Sequence, residues 1–453
     1  MNKNDLIIIG AGPGGYRAAE YAAKRGLIVT LFEQGPVGGT CLNVGCIPTK
    51  CLARNAELML DMKDAASMGV TFPDYGFDFG KAIARKDDVV GQLRQGVETL
   101  LSHPAISVVR AKAVFKNDHT VVADGMEYQA DHIIIASGSS SKTLNVEGAD
   151  HSDVLDSSSL LSLSDMPRSL CIIGAGVIGM EFASIFNAFG AEVTVVEFLK
   201  ECLPVLDSDI AKRLRKTLEK RGITFHMQCA VSAITDDGVV FTDKKGKANC
   251  VKADKVLMAV GRKPNLDGLN LAALGVEPVR GAIPVDHDSL RVADAAGSPL
   301  AHVYAIGDAN GLQMLAHAAE MQAIRAVNKI VGEKDNIRLD IMPAAIFTKP
   351  EAACVGLSED QCKAQEIPYV CKKSFWRANG KAMAMGETDG MLKLICDPQD
   401  GRIIGCHAFG AHAADIIQEA SVLMCQNSTA AQLADMVHIH PTLSEILKSA
   451  AEL

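Results

Sequence analysis

Short apolar runs that end on a glycine recur along the chain. Leu6-Ile7-Ile8-Ile9 runs unbroken into Gly10, and Leu170-Cys171-Ile172-Ile173 into Gly174. Four consecutive apolar residues without polar alternation, closed by a turn residue, predict a strand covered on both faces, as in a parallel sheet. A helical stretch follows each run, closing near Gly26 and Gly190, and then a second strand ends at an acid, Glu33 and Glu197. The two segments are one unit in two copies, because Gly10 and Gly174, Gly26 and Gly190, and Glu33 and Glu197 are each 164 residues apart. Three further apolar runs meet glycines at Ile133 to Gly138, Val256 to Gly261 and Val303 to Gly307. Near the C-terminus, Leu392-Lys393-Leu394-Ile395-Cys396 and Ile403-Ile404-Gly405-Cys406-His407 read as alternating and apolar strand runs.

The repeated unit suits a dinucleotide. The first glycine of each copy (Gly10, Gly174) permits a tight turn, and the second (Gly12, Gly176) lets the backbone approach a pyrophosphate. The third (Gly15, Gly179) allows close helix–strand packing. The helix that follows offers free N–H groups and a positive dipole end to phosphate. Glu33 and Glu197 are expected to accept from ribose hydroxyls. An acid there disfavours a 2′-phosphate, and near Glu197 only Lys200 could counter it, so the second site reads as NAD rather than NADP. Gly138 and Gly261 fall where a sheet's carboxyl edge meets a cofactor. Asp308 is placed to bond a cofactor's polar linker, and it also fits a helix N-cap ahead of residues 312–331.

With 453 residues, 48% of them hydrophobic and 22% charged, the chain has ordinary globular composition and room for about three domains. Its net charge of −9 provides no global attraction to nucleic acid or anionic membrane. No apolar run approaches the roughly 18 residues of a membrane span. The segment Met1 to Asp5 has no signal-peptide pattern, so a cytoplasmic location is expected.

Thirteen cysteines in such a chain read mostly as buried thiols. Cys171, Cys202, Cys229, Cys250, Cys354, Cys362, Cys371, Cys396, Cys406 and Cys425 are expected to be packing, as is Cys51. Cys41 and Cys46 differ. Gly45 between them lets the backbone bend and close a ring, and Pro48 suits the first turn of a helix. Lys50, four residues past Cys46, puts a cation on the same helix face, which makes this a low-pKa dithiol. Far along the chain lies His438-Ile439-His440-Pro441-Thr442-Leu443-Ser444-Glu445. Glu445 can orient an imidazole for general-base work, or complete a capping box with Thr442. His438 reads as support. A Cys₂His₂ zinc set is disfavoured by the wide cysteine spacing and by the long stretch between the thiols and the histidines, so no metal is expected.

The run Gly39 to Lys50, the two glycine fingerprints, Tyr304-Ala305-Ile306-Gly307-Asp308-Ala309 and His440-Pro441-Thr442 together resemble the flavin-dependent pyridine nucleotide-disulfide oxidoreductases. The resemblance covers essentially the whole chain. It implies an α/β fold with two Rossmann-like dinucleotide-binding domains, for FAD and NAD, plus a C-terminal α+β dimerisation domain. The FAD domain would take residues 1–143 and 265–336, the NAD domain 144–264, and the interface domain 337–453. Cys41 would be the interchange thiol and Cys46 the thiol nearest the flavin. Lys50 would lie beside the flavin ring, paired with Glu181. Glu33 and Asp308 would contact FAD and Glu197 NAD. His440 would be the base and Glu445 its orienter, reaching the thiols of the other subunit in a homodimer. Within the family the match is to members that reoxidise dihydrolipoamide carried by a partner protein of a 2-oxoacid dehydrogenase or glycine cleavage complex. An NAD(P)H-driven disulfide reductase is the alternative. Thr49, Ser137 and Ala318 depart from the usual serine, threonine and lysine.

Overall fold

A computed structural model describes residues 4–453. The chain divides into two compact units, one of residues 1–51, 83–142 and 262–339, the other of 52–82, 143–261 and 340–453.

The first unit is built on a twisted sheet with strand order Arg291–Ala293, Pro299–Ala305, Met126–Ile135, Asn4–Ile9, Val29–Phe32 and Ile106–Val109. All neighbours are parallel except the first pair. The unbroken run Leu6 to Ile9 is explained by cover on both sides. Leu6 and Ile8 pack with Ala18, Ala22 and Ala326 of two helices, Pro13–Ala23 and Ala316–Val331. Ile7 and Ile9 face a second core containing Phe115 and Val121 of an antiparallel hairpin. The helix expected over residues 312–331 starts only at Ala316, with Leu315 at its N-cap. Asp308 therefore does not cap it and sits instead in the short 3₁₀ turn Gly307–Asn310.

In the second unit, the repeat forms a five-stranded parallel sheet in the order Thr224–Met227, Glu192–Glu197, Ser169–Ile173, Lys255–Met258 and Val154–Leu155. The helix Val177–Phe189 follows its glycine turn and stops at Gly190, whose φ of 101° is left-handed. Residues 340–453 add a five-stranded antiparallel sheet, Ala344–Ile346, Glu351–Gly356, Ile403–Gly410, Met391–Cys396 and Val370–Phe375. One face of it, with Leu392, Leu394 and Cys406, packs on the helices Ala413–Cys425 and Glu445–Ala451.

The other face carries Lys393 and His407 directly opposite each other, both buried. Lys393 Nζ meets Asp207 Oδ1 and Glu359 Oε2, each at 2.6 Å, and the Asp207 N–H donates to His407 Nδ1 at 3.1 Å. The lysine inside an apolar strand run is thus a buried, paired ion. Cys250 and Cys425 are exposed and Cys371 half-buried, against the expectation of packing. The remaining single cysteines, Cys51 included, are buried. No helix among the described residues is long and apolar enough to cross a membrane.

Candidate active site

Cys41 lies in the short helix Gly39–Val44, and Cys46 opens the 19-residue helix Cys46–Asp64. The two form a disulfide with Cα atoms 4.7 Å apart. Cys46 at the first helical position meets the positive end of the helix dipole, which favours thiolate over thiol when the bond opens. Pro48 stands in the first turn as its missing N–H allows, and Lys50 follows one turn after Cys46. Gly45 ends the short helix, and a Cβ there would lie 2.9 Å from the Thr40 carbonyl oxygen. Thr49 spans the junction. Its N–H and its hydroxyl both donate to the Gly45 carbonyl, at 3.1 and 2.7 Å. Serine's hydroxyl would serve the same bond, so the departure at Thr49 is conservative. Asn43, which sequence reasoning passed over, braces the loop. Its Nδ2 donates to the Val37 and Gly39 carbonyls at 2.9 Å each, and its Oδ1 accepts from Arg94 Nε at 2.8 Å. Only the fold brings Arg94 to it.

The two glycine turns are alike in detail. The Ala11 and Gly35 N–H groups donate to the two oxygens of Glu33 at 2.7 and 2.9 Å. The Ala175 and Leu199 N–H groups donate to Glu197 at 2.5 and 2.6 Å. Each acid ties the glycine turn to the end of the strand that carries it, and a carboxylate has lone pairs beyond those two bonds. The structure supports both nucleotides on steric grounds. A Cβ on Gly15 would collide with the Gly10 carbonyl, and one on Gly179 with that of Gly174, so these glycines serve packing. A Cβ on Gly176 would meet no protein atom within 4 Å, and one on Gly12 only Gly39 Cα at 3.9 Å. The bareness of the middle glycine is not required by protein packing, so it fits a pyrophosphate. At the first sheet's carboxyl edge the buried Ser137 hydroxyl has no hydrogen-bond partner among the described residues, as suits a group facing a ligand. Gly138 and Gly261 turn the chain with φ of 70° and 108°.

Asp308 accepts from the Ser139 hydroxyl. Glu181 is buried on helix Val177–Phe189 and accepts from the Phe347 N–H at 2.9 Å. His440 Nδ1 contacts Glu445 Oε1 at 3.0 Å, and Glu445 Oε2 accepts from the Thr442 N–H at 2.9 Å. Those bonds, the Thr442 amide first and His440 next, hold the Glu445 carboxyl below its ordinary range. Thr442 does not cap the helix. The N-cap is Ser444, and the Thr442 hydroxyl donates instead to the Ile439 carbonyl at 2.8 Å. The expected capping box is therefore half present, and the His440–Glu445 contact is made. His438 forms a second pair, Nε2 to Glu419 Oε1 at 2.8 Å. The His440 side chain is 78% exposed, and the preceding Val437 and Ile439 are 97% and 80% exposed. Among the described residues no group of three or more His, Cys, Asp or Glu is arranged to hold a metal ion.

The profile of the pyridine nucleotide-disulphide oxidoreductases matches residues 4–323, and that of their dimerisation domain matches residues 342–451. The chain is 35% identical to a mitochondrial dihydrolipoyl dehydrogenase of Pisum sativum, across 99% of this chain and 91% of that one. It is 37% identical to the dihydrolipoyl dehydrogenase of Bacillus subtilis, across 98% and 97%. The structure also superposes on the HOCl-induced flavoprotein disulfide reductase RclA of Escherichia coli, in its Cu(II) complex. The TM-score is 0.87 at 29% identity, covering 100% of this chain and 99% of that one.

Proposed function

The chain belongs to the pyridine nucleotide-disulphide oxidoreductases and is an FAD- and NAD-dependent enzyme, and from this we propose that it oxidises protein-bound dihydrolipoamide to lipoamide while reducing NAD. The observation that carries the reading is the Cys41–Cys46 disulfide with Cys46 at the head of a long helix and Lys50 one turn on. We assign FAD to residues 1–143 and 265–336, NAD to 144–264, and dimer formation to 337–453.

His440, oriented by Glu445, removes a proton from a substrate thiol, whose sulfur attacks Cys41. The Cys41–Cys46 bond breaks, and Cys46 leaves as a thiolate held by the helix end and Lys50. The second substrate thiol displaces Cys41, so that lipoamide gains the disulfide and the cysteine pair gains two electrons. When bound, FAD supplies a two-electron carrier between that dithiol and the nicotinamide. Gly10, Gly12, Gly15, Glu33, Lys50, Gly138 and Asp308 would hold it, with Lys50 and Glu181 assigned to the flavin chemistry. Gly174, Gly176, Gly179, Glu197 and Gly261 would hold NAD.

The exposure of His440, which follows the exposed apolar residues Val437 and Ile439, supports a homodimer in which His440 serves the thiols of the second copy. The lipoyl group comes from another protein, of a 2-oxoacid dehydrogenase or glycine cleavage complex. Eleven free thiols fit a reducing cytoplasm.

The test is NADH formation from dihydrolipoamide and NAD, run beside NADPH with glutathione disulfide. Fast NADH formation alone is expected. Activity in the second assay alone would replace this reading with the reductase alternative, for which the likeness to RclA is the supporting observation.

A further inference from the structure

The chain leaves the first unit after Lys142 and returns to it at Arg262. At that crossing Ser139–Ser141 and Arg262–Pro264 pair as a two-stranded antiparallel ribbon. Arg262 grips one residue twice. Its Nε donates to Ser139 Oγ at 2.7 Å and its Nη2 to the Ser139 carbonyl at 2.6 Å. The Ser139 hydroxyl then donates to Asp308 Oδ2, which lies 4.0 Å from Arg262 Nε. A guanidinium has no lone pair to offer, so the serine oxygen must accept from Arg262 and spend its own proton on Asp308. The order of donors is fixed, and the carboxylate end is held by one oxygen.

The turn bearing Asp308 is pinned from behind as well. Buried Gln322 accepts from the Gly307 N–H at 2.8 Å and from Asn310 Nδ2 at 2.9 Å. The ribbon is in turn tied to the Gly138 turn, whose carbonyl accepts from the Asn265 N–H at 2.9 Å. Both crossover strands and the Asp308 turn thus converge on one buried hydroxyl.

We infer that Arg262 is a positioning residue for the flavin, acting through Ser139 to aim the Asp308 carboxylate. This rests on the reading of Asp308 as an FAD contact. Neither Arg262 nor Ser139 touches the reacting atoms. Their work is to keep Asp308 aimed and anchored where the chain leaves and re-enters the first unit.

The experiment follows FAD release from purified holoenzyme on dilution, by recovery of free-flavin fluorescence, with the flavin absorption band recorded on the retained fraction. Arg262→Met and Ser139→Ala are each expected to weaken FAD retention about tenfold, the scale of one charge-assisted hydrogen bond. The double variant should be little worse than either single one, because both break the same chain. Arg262→Lys should not rescue, since an ammonium cannot make the two-pronged contact. Wild-type retention in both single variants, or full additivity in the double, would overturn the inference. Should Arg262→Met fail to fold, Ser139→Ala against wild type decides alone. Asp308→Asn separates the premise from the inference. If it keeps FAD as wild type does, the Asp308 reading fails; if it releases FAD while Arg262→Met and Ser139→Ala do not, only the clasp fails.

Discussion

Lys393 and Asp207 meet at 2.6 Å with side chains only 3% and 1% exposed. They link the antiparallel sheet to the N-cap of helix Ser208–Lys220, where Asp207 Oδ1 also accepts from the Asp209 N–H at 3.1 Å. Burial alone would lower the Lys393 pKa, but the bonds to Asp207 and Glu359 outweigh it and hold the ammonium above its usual range. Burial likewise pushes Glu359 up, and the Lys393 contact overcomes this and brings it to about 2.

Lys393→Met should therefore destabilise the fold by about 3–5 kcal/mol, the cost of leaving a buried charge without its partner. Urea unfolding of the holoenzyme measures this. A loss under about 1 kcal/mol would mean that Asp207 and Glu359 find other partners.

His407 sits beside this pair and gives a pH prediction. Burial pulls its pKa down from 6.5 to about 4, against a smaller upward pull from Asp207. Its Nδ1 accepts the Asp207 N–H, so the folded state holds the neutral ring. Between pH 6.5 and 4 the unfolded chain binds a proton that the folded chain refuses, so this residue makes stability fall as pH drops through that window. The ceiling is about 3 kcal/mol. His407→Asn, which keeps an acceptor, should flatten the stability profile between pH 6.5 and 4. An unchanged slope would contradict the assignment.

The His440–Glu445 pair predicts a graded loss of activity. His440→Gln should lower lipoamide turnover about 10²–10⁴-fold, the usual weight of a general base. Glu445→Gln should cost less, because the imidazole survives without its orienter. Steady-state turnover with FAD content checked by absorbance distinguishes the two. Equal and small losses would remove His440 from the mechanism.

The thiols predict an all-or-none outcome. Cys46→Ser should abolish lipoamide turnover while leaving the fold intact, since no internal disulfide can then form. Retained turnover would sink the dithiol scheme.

The glycines of the second turn predict a separation of folding from binding. Gly179→Ala drives a methyl into the Gly174 carbonyl and should lower the melting temperature. Gly176→Ala has space within the protein and should fold normally, yet raise the KM for NAD about tenfold by crowding the pyrophosphate. Equal KM values for Gly176→Ala and the parent would place the nucleotide elsewhere.

Local chemistry was legible in the residues themselves. Unbroken apolar runs, glycine spacing and the acid at a constant offset dictated the parallel strands of both sheets, because covered strands and tight turns are decided by neighbours close in sequence. The thiol pair, Pro48 and Lys50 were readable for the same reason, all lying within one loop and one helix turn. His440 and Glu445 needed only five residues. What escaped were contacts between distant segments. Lys393 was legible only as part of a strand run, and only tertiary structure brings Asp207 and Glu359 to it. Arg262 carried no signal of its own in the sequence, because Ser139 and Asp308 come to it from two other segments. Thr442 looked like a cap until the chain carried its hydroxyl to Ile439. Periodicity records which face of an element is buried, but it holds no record of which remote group waits there, and a buried charge takes its meaning from that group.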